Sequence, residues 1–172
     1  MVTGITGQDG AYLARQLLER GYEVYGARRP TTSTSIWRLE QLGIQDQVEL
    51  VDIELLEYSN IHTLVESIRP DEVYNLAAES FPGAPLDQSL HTADVTGMGV
   101  ARLLKAVHGV CPEARVFQAS TAELFGNCET SPQTELTRFQ PRTAYGTAKL
   151  FAYWLGVDYR DTAGMHFSSG IL

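Results

Sequence analysis

Val2-Thr3-Gly4-Ile5-Thr6-Gly7-Gln8-Asp9-Gly10 runs directly into Ala11-Tyr12-Leu13-Ala14-Arg15-Gln16-Leu17-Leu18-Glu19-Arg20-Gly21. Glycine recurs at every third position of the first run. In the second, Leu13, Leu17 and Leu18 share a helical stripe and Gly21 supplies a C-terminal stop. The pair reads as a tight turn opening a helix. Glycines remove the Cβ atoms that would block a pyrophosphate, and the first helical turn offers unpaired N–H donors. Gly4, Ile5, Thr6, Gly7, Gln8, Asp9 and Gly10 are therefore candidate dinucleotide contacts. The spacing is Gly-x-x-Gly-x-x-Gly rather than the commoner Gly-x-Gly-x-x-Gly, and a lone glycine loop also serves as a plain turn. The strand that should precede it is clipped to Met1-Val2-Thr3.

Outward from this unit, strand and helix patterns alternate. Residues 22–27, 47–51, 72–77, 115–119 and 165–172 read as strands. Residues 58–68, 92–107 and 145–162 read as helices, with Pro70 breaking the first. Such alternation predicts an α/β fold: one Rossmann-like, doubly wound parallel sheet occupying residues 1–172. With its first strand clipped, the sheet is expected to have an unpaired centre and weakened folding. The turn-rich segments 29–35, 81–88 and 127–142 fall on the ligand side of that architecture.

Composition narrows the function. The chain has 172 residues and a net charge of −8. No basic stripe appears, which argues against a nucleic-acid partner. No apolar run approaches membrane-spanning length and no signal peptide is visible, so a cytoplasmic protein without a membrane partner is expected. Cys111 and Cys128 have neither metal-ligand spacing nor a disulfide pattern, and no metal is expected.

The end of the second strand bears on the cofactor. Dehydrogenases that take NAD commonly carry an acid there for the ribose 2′-hydroxyl. This chain has Arg28-Arg29-Pro30-Thr31-Thr32-Ser33, two arginines and a run of hydroxyls. Forked cations suit a 2′-phosphate, which makes NADP the expected cofactor; a solvated basic turn is the other reading. Asp52, just past the third strand, is a candidate acceptor for an adenine amino group, with Ile53 beside it. Leu76, Ala77, Ala78 and Ser80 follow the fourth strand, where small residues let backbone approach a cofactor.

Two further runs carry chemistry. Tyr145-Gly146-Thr147-Ala148-Lys149 sets a phenol and an ammonium one helical turn apart on one face. A neighbouring lysine stabilises a phenolate, so Tyr145 is a candidate base and binds the cofactor together with Lys149. A Tyr and a Lys at this spacing also occur on solvated faces, but Lys149 is one of only two lysines, the other being Lys105. Ser120-Thr121-Ala122-Glu123 follows the fifth strand, where catalytic groups gather in open α/β sheets; a hydroxyl followed by Glu is equally a helix cap.

Taken together these runs resemble the GDP-mannose 4,6-dehydratase family, in the extended branch of the short-chain dehydrogenase/reductases. The resemblance rests on Thr3–Gly10, on Pro70-Asp71-Glu72-Val73-Tyr74-Asn75-Leu76-Ala77-Ala78 and on Gln118–Glu123. It extends to Gln140-Pro141-Arg142-Thr143-Ala144-Tyr145-Gly146-Thr147-Ala148-Lys149-Leu150 and Gly170-Ile171-Leu172. It implies a tightly held NADP, a nucleotide-sugar substrate (GDP-mannose) and a homo-oligomer in which the Tyr145 helix packs on a partner, with Phe151, Trp154 and Leu155 open to two readings, that interface or the core. The implied catalytic residues are Thr121, Glu123, Tyr145 and Lys149. Tyr145 takes the proton of the sugar 4-hydroxyl, Lys149 lowers the Tyr145 pKa and holds the nicotinamide ribose, Thr121 bonds the 4-oxygen, and Glu123 removes the C5 proton.

Some positions depart from the family. Ala122 and Thr143-Ala144 stand where Ser and Ser-Pro are usual, Pro82 and Pro85 replace Val and Ser, and His91 replaces Tyr. The family also continues past Leu172 into a sugar-binding lobe absent here, so the chain is expected to be truncated at both ends. Activity on a UDP- or dTDP-sugar, as dehydratase or epimerase, and a silent NADP-binding fragment are the alternatives.

Overall fold

Short apolar runs bounded by turn residues become six strands in the computed structural model, which describes residues 1–30, 35–80, 85–129 and 131–172. They are β1 (Val2–Thr3), β2 (Val24–Arg28), β3 (Val48–Asp52), β4 (Glu72–Asn75), β5 (Arg115–Ala119) and β6 (Phe167–Gly170). All pairings are parallel, in the order β3-β2-β1-β4-β5-β6. The order reverses between β1 and β4, which opens a crevice at the carboxyl ends of those strands.

The helices α1 (Gln8–Glu19) and α2 (Trp37–Gln41) cover one face. Ala11, Ala14, Leu17 and Leu39 pack there on Val2, Val24 and Val48. The helices α3 (Tyr58–Ile68), α5 (Gly99–Val110) and α6 (Ala144–Ala163) cover the other. Ile61, Val65, Leu103, Leu104, Val107 and Ala152 pack there on Val73, Val116 and Phe167. On the first face Tyr74 packs against that face's cluster, and Tyr74 and Phe117 remain half-buried with their rings 6.3 Å apart.

The expectation of an unpaired centre is corrected. β1 has two residues, yet Val2 faces Gly26 and Tyr74, and Thr3 faces Ala27 and Asn75. Backbone beyond the strand extends the ladder. The Met1 ammonium donates to Glu72 O at 2.7 Å, Tyr74 N–H donates to Met1 O at 2.9 Å, and Gly4 N–H donates to Ala27 O at 3.0 Å. Short as it is, the strand leaves no gap in the sheet.

Other boundaries move for identifiable reasons. β4 stops at Asn75 rather than Ala77 because Thr3 Oγ1 accepts the N–H groups of Leu76 and Ala77, at 3.2 and 3.1 Å. The helix expected over 92–107 begins earlier, as α4 (Ser89–Thr92), and passes through a π-helical turn at Ala93–Met98 before α5. Thr96 Oγ1 anchors that widened turn by accepting Glu79 N–H at 3.1 Å. α2 is a five-residue helix with too few apolar points for a period to register. Among the described residues no helix is long and apolar enough to cross a membrane.

Candidate active site

The three glycines of the loop do different work. Gly4 adopts φ +69°, and a Cβ there would lie 3.0 Å from Ala77 N, so the turn presses on the exit of β4. Gly10 lies inside α1, where a Cβ would overlap Gly4 O and reach 2.9 Å from Ile5 Cα. Its missing Cβ lets the helix pack closely on the loop. Gly7 is the N-cap of α1, and Ala11 N–H donates to its carbonyl at 3.1 Å. Gly7, Gln8, Asp9 and Gly10 line the cleft into which the helix N-terminus opens. The Ile5 side chain is fully buried in the core, so only its backbone could face a ligand in this loop.

One cleft of about 300 Å³ runs from the loop across the ends of β2 and β3. Gly4, Thr6 and Gly7 form one wall, Leu76, Ala77, Ala78 and Ser80 another, and Arg28, Arg29 and Ile53 the far end. Both cations are engaged by acids: Arg28 Nε lies 3.5 Å from Asp52, and Arg29 3.6 Å from Glu79. Asp52 is thus an exposed partner of Arg28 and is not part of the cleft wall. Thr31, Thr32, Ser33 and Pro82 lie outside the described residues. Pro85 precedes a short 3₁₀ turn at Leu86–Gln88.

A second cleft, of about 420 Å³, shares Gly4, Gly7, Leu76, Ala78 and Ser80 with the first and continues over the end of β5. Ala119, Ser120, Thr121, Tyr145 and Lys149 line it, so three of the four candidate catalytic residues meet there. Thr143 caps α6 by accepting Gly146 N–H at 2.9 Å, so Thr143-Ala144 supports the helix without the usual Ser-Pro. Lys149 is buried and donates to Ala119 O at 2.7 Å, with its ammonium 5.6 Å from the Tyr145 ring centre. Burial holds the Lys149 pKa down to about 8. Burial also raises the Tyr145 phenol above its ordinary value; a hydrogen bond with Thr121 lowers it, and the charge of Glu123 raises it further.

The cap reading and the functional reading of Thr121 both hold in the geometry. Its Oγ1 accepts Glu123 N–H at 3.2 Å and so starts a 3₁₀ turn at Ala122–Leu124, while the same hydroxyl meets the phenol. Glu123 is half-buried beside the cleft, near enough to Tyr145 for its charge to act, but is not in the cleft wall. Ala122 is exposed. His91 pairs with Glu79 at 3.8 Å, away from the phenol.

Sequence reasoning missed three participants. Ser120 Oγ is buried without a hydrogen-bond partner in the second cleft, an orphan hydroxyl such as a bound polar ligand would satisfy. Arg38, on the unforeseen α2, donates to Thr6 O at 3.0 Å and lies 4.4 Å over the Trp37 ring, so it braces the glycine loop. Gln118 donates to Ala119 O at 2.8 Å, on the same carbonyl that holds Lys149. A helix N-terminus between two cations at one end and an ammonium with an orphan hydroxyl at the other fits a long anionic dinucleotide. No group of His, Cys, Asp and Glu among the described residues could hold a metal ion.

Comparison with known proteins agrees with this geometry. A GDP-mannose 4,6 dehydratase family model matches residues 1–172. GDP-mannose 4,6-dehydratase of Yersinia enterocolitica is 44% identical over 180 residues, covering 100% of this chain and 48% of the relative. The Homo sapiens enzyme of the same name is 41% identical with the same coverage. The chain thus spans about half the length of the curated relatives it matches. Among solved structures, dTDP-glucose 4,6-dehydratase DesIV from Streptomyces venezuelae superposes with a TM-score of 0.85 at 21% identity, over 99% of this chain and 54% of that one. At that identity it shares the fold. The match over every residue decides the matter: the chain belongs to the GDP-mannose 4,6-dehydratase family.

Proposed function

We propose that this chain carries the cofactor and catalytic half of an NADP-dependent GDP-mannose 4,6-dehydratase, converting GDP-mannose to GDP-4-dehydro-6-deoxymannose and water. The observation that carries the reading is the meeting of Thr121, Tyr145 and Lys149 in one cleft continuous with the glycine loop. Gly7 to Gly10 would hold the pyrophosphate at the N-terminus of α1, Arg28 and Arg29 the ribose 2′-phosphate, and Lys149 the nicotinamide ribose. When bound, the dinucleotide supplies a hydride acceptor for C4 and a hydride donor for C6.

Tyr145 takes the proton of the 4-hydroxyl as the C4 hydride leaves, and the Thr121 hydroxyl steadies the oxygen that becomes the ketone. The ketone acidifies C5–H, and Glu123 accepts that proton. The electron pair left at C5 forms the C5–C6 double bond as the C6 hydroxyl departs as water with the proton that Glu123 accepted. A hydride returned to C6, and a proton at C5 matching the one Tyr145 took and passes to solvent, would complete the 6-deoxy product with no net consumption of cofactor. A 4-epimerase needs no base at C5, so Glu123 beside the phenol favours a dehydratase. The exposed Phe151 and Trp154 on α6 support a second copy packed on that helix.

The test is mass spectrometry of GDP-mannose incubated with the chain and NADP. Loss of one water that is absent in Tyr145→Phe, and absent in Glu123→Gln although NADP binding persists, would establish the dehydratase, whereas no loss with NADP binding retained would leave the chain a cofactor lobe that is inactive alone. Unchanged water loss in Glu123→Gln would sink the base assignment, and loss of water only from a UDP- or dTDP-sugar would reassign the substrate.

A further inference from the structure

Thr3, Asn75, Gln118 and Lys149 come from β1, β4, β5 and α6, and none exceeds 3% exposure. They form one unbroken chain. Thr3 Oγ1 donates to Asn75 Oδ1 at 2.6 Å, Asn75 Nδ2 to Gln118 Oε1 at 2.7 Å, and Gln118 Nε2 to Ala119 O at 2.8 Å. Lys149 Nζ donates to that same carbonyl at 2.7 Å.

The direction of every bond is forced from one end. Thr3 Oγ1 accepts the N–H groups of Leu76 and Ala77, so its own proton must go to Asn75 Oδ1. That fixes the Asn75 amide with its NH₂ toward Gln118, which in turn fixes Gln118 with its NH₂ toward Ala119 O. The other side of the same peptide is also held, because Ser120 N–H donates to Gly170 O at 2.7 Å. The Ala119 carbonyl is therefore locked in direction, and among the described residues it is the acceptor recorded for the buried ammonium. A chain needed only to stabilise the sheet would have no reason to end on that carbonyl.

We propose that Thr3, Asn75 and Gln118 are positioning residues whose directed chain aims the Ala119 carbonyl at Lys149, so that the backbone leaving β4 sets where the ammonium stands. The cofactor floor at Leu76 and Ala77 and the partner of Tyr145 are thereby one mechanical unit. The functional weight of this rests on the reading of Lys149 given above, but its test uses neither substrate nor cofactor.

The chain contains two lysines, so ¹⁵N labelling at lysine Nζ gives two ammonium signals, and Lys105→Arg assigns them. Lys149 protons should exchange slowly with water and those of exposed Lys105 quickly. Gln118→Met and Thr3→Val should each speed Lys149 exchange about tenfold, because a carbonyl no longer aimed at the ammonium holds that charged hydrogen bond less well. Thr3→Ser should stay native. The double variant should exceed Gln118→Met little, because Thr3 acts through Gln118. Native exchange in a Gln118→Met chain with native circular dichroism overturns the proposal. If that variant does not fold, equal exchange in Thr3→Val and Thr3→Ser overturns it. Altered exchange would stand even if no sugar nucleotide lost water, so failure of the dehydratase reading is read separately.

Discussion

Replacing Lys149 by Met is expected to make the ligand-free fold more stable. Burial alone holds the ammonium pKa down from 10.5 to about 8. At ~1.4 kcal/mol for each pH unit of that gap, the buried charge costs about 3 kcal/mol at pH 7. Its hydrogen bond to Ala119 O offsets half of this or more, being worth about 1.5–3 kcal/mol as a bond to a charged group. Met has a similar length and no charge. The carbonyl it leaves is still satisfied, because Gln118 Nε2 donates to it. The net gain expected is at most ~1.5 kcal/mol at pH 7. Its pH dependence is the sharper check. The folded pKa lies below the unfolded one, so between pH 8 and 10.5 the unfolded chain binds more protons and the native protein gains stability as pH rises. The advantage of Met should be complete below pH 8 and shrink steadily toward 10.5. Urea unfolding of both chains at pH 7 and at about pH 9.5 measures it. A Met variant less stable at pH 7, or a difference that does not narrow with pH, would refute the reasoning. A stabilised variant without turnover would mark Lys149 as kept for function at the expense of the fold.

Gly10→Ala should lower stability by ~2–3 kcal/mol and abolish nucleotide binding, because the new methyl meets backbone at Gly4 and Ile5 that cannot move aside cheaply. A native melting temperature with native nucleotide affinity would count against this account of the loop. Thr121→Val removes the hydrogen bond that lowers the Tyr145 pKa, so any rise of activity with pH should shift to higher pH, with Thr121→Ser unaffected. Loss of the cap should also cost about 1 kcal/mol in thermal unfolding.

Much of this was legible in the residues. Alternating strand and helix patterns fix a parallel sheet because apolar runs of four to five residues between amphipathic helices have few other ways to be buried. The glycine loop, Thr121, Tyr145 and Lys149 were visible because each pairs an unusual spacing with a chemical need. What the residues did not carry was partnership. Arg28 and Asp52 look like independent cofactor ligands until β2 and β3 bring them to 3.5 Å. Nothing local tells that the Ile5 side chain turns into the core and leaves only its backbone to the loop. Asn75 and Gln118 are 43 positions apart, and nothing local reveals that their amides meet at 2.7 Å. Ser120 was hidden for the opposite reason, since an unpartnered hydroxyl is evident only when its surroundings are known.

The acids that flank the two arginines at the end of β2 change what selectivity between nicotinamide cofactors would consist of. Asp52 and Glu79 already neutralise Arg28 and Arg29, so an arriving 2′-phosphate would not meet bare positive charge. It would enter as a competitor in a partner exchange, two carboxylates giving way to one dianion with better forked geometry. Added salt weakens both sides of such an exchange, so binding there should respond to ionic strength less than two cations alone would suggest. The carboxylates, which the arginines would release on binding, then become as decisive for cofactor choice as the arginines themselves.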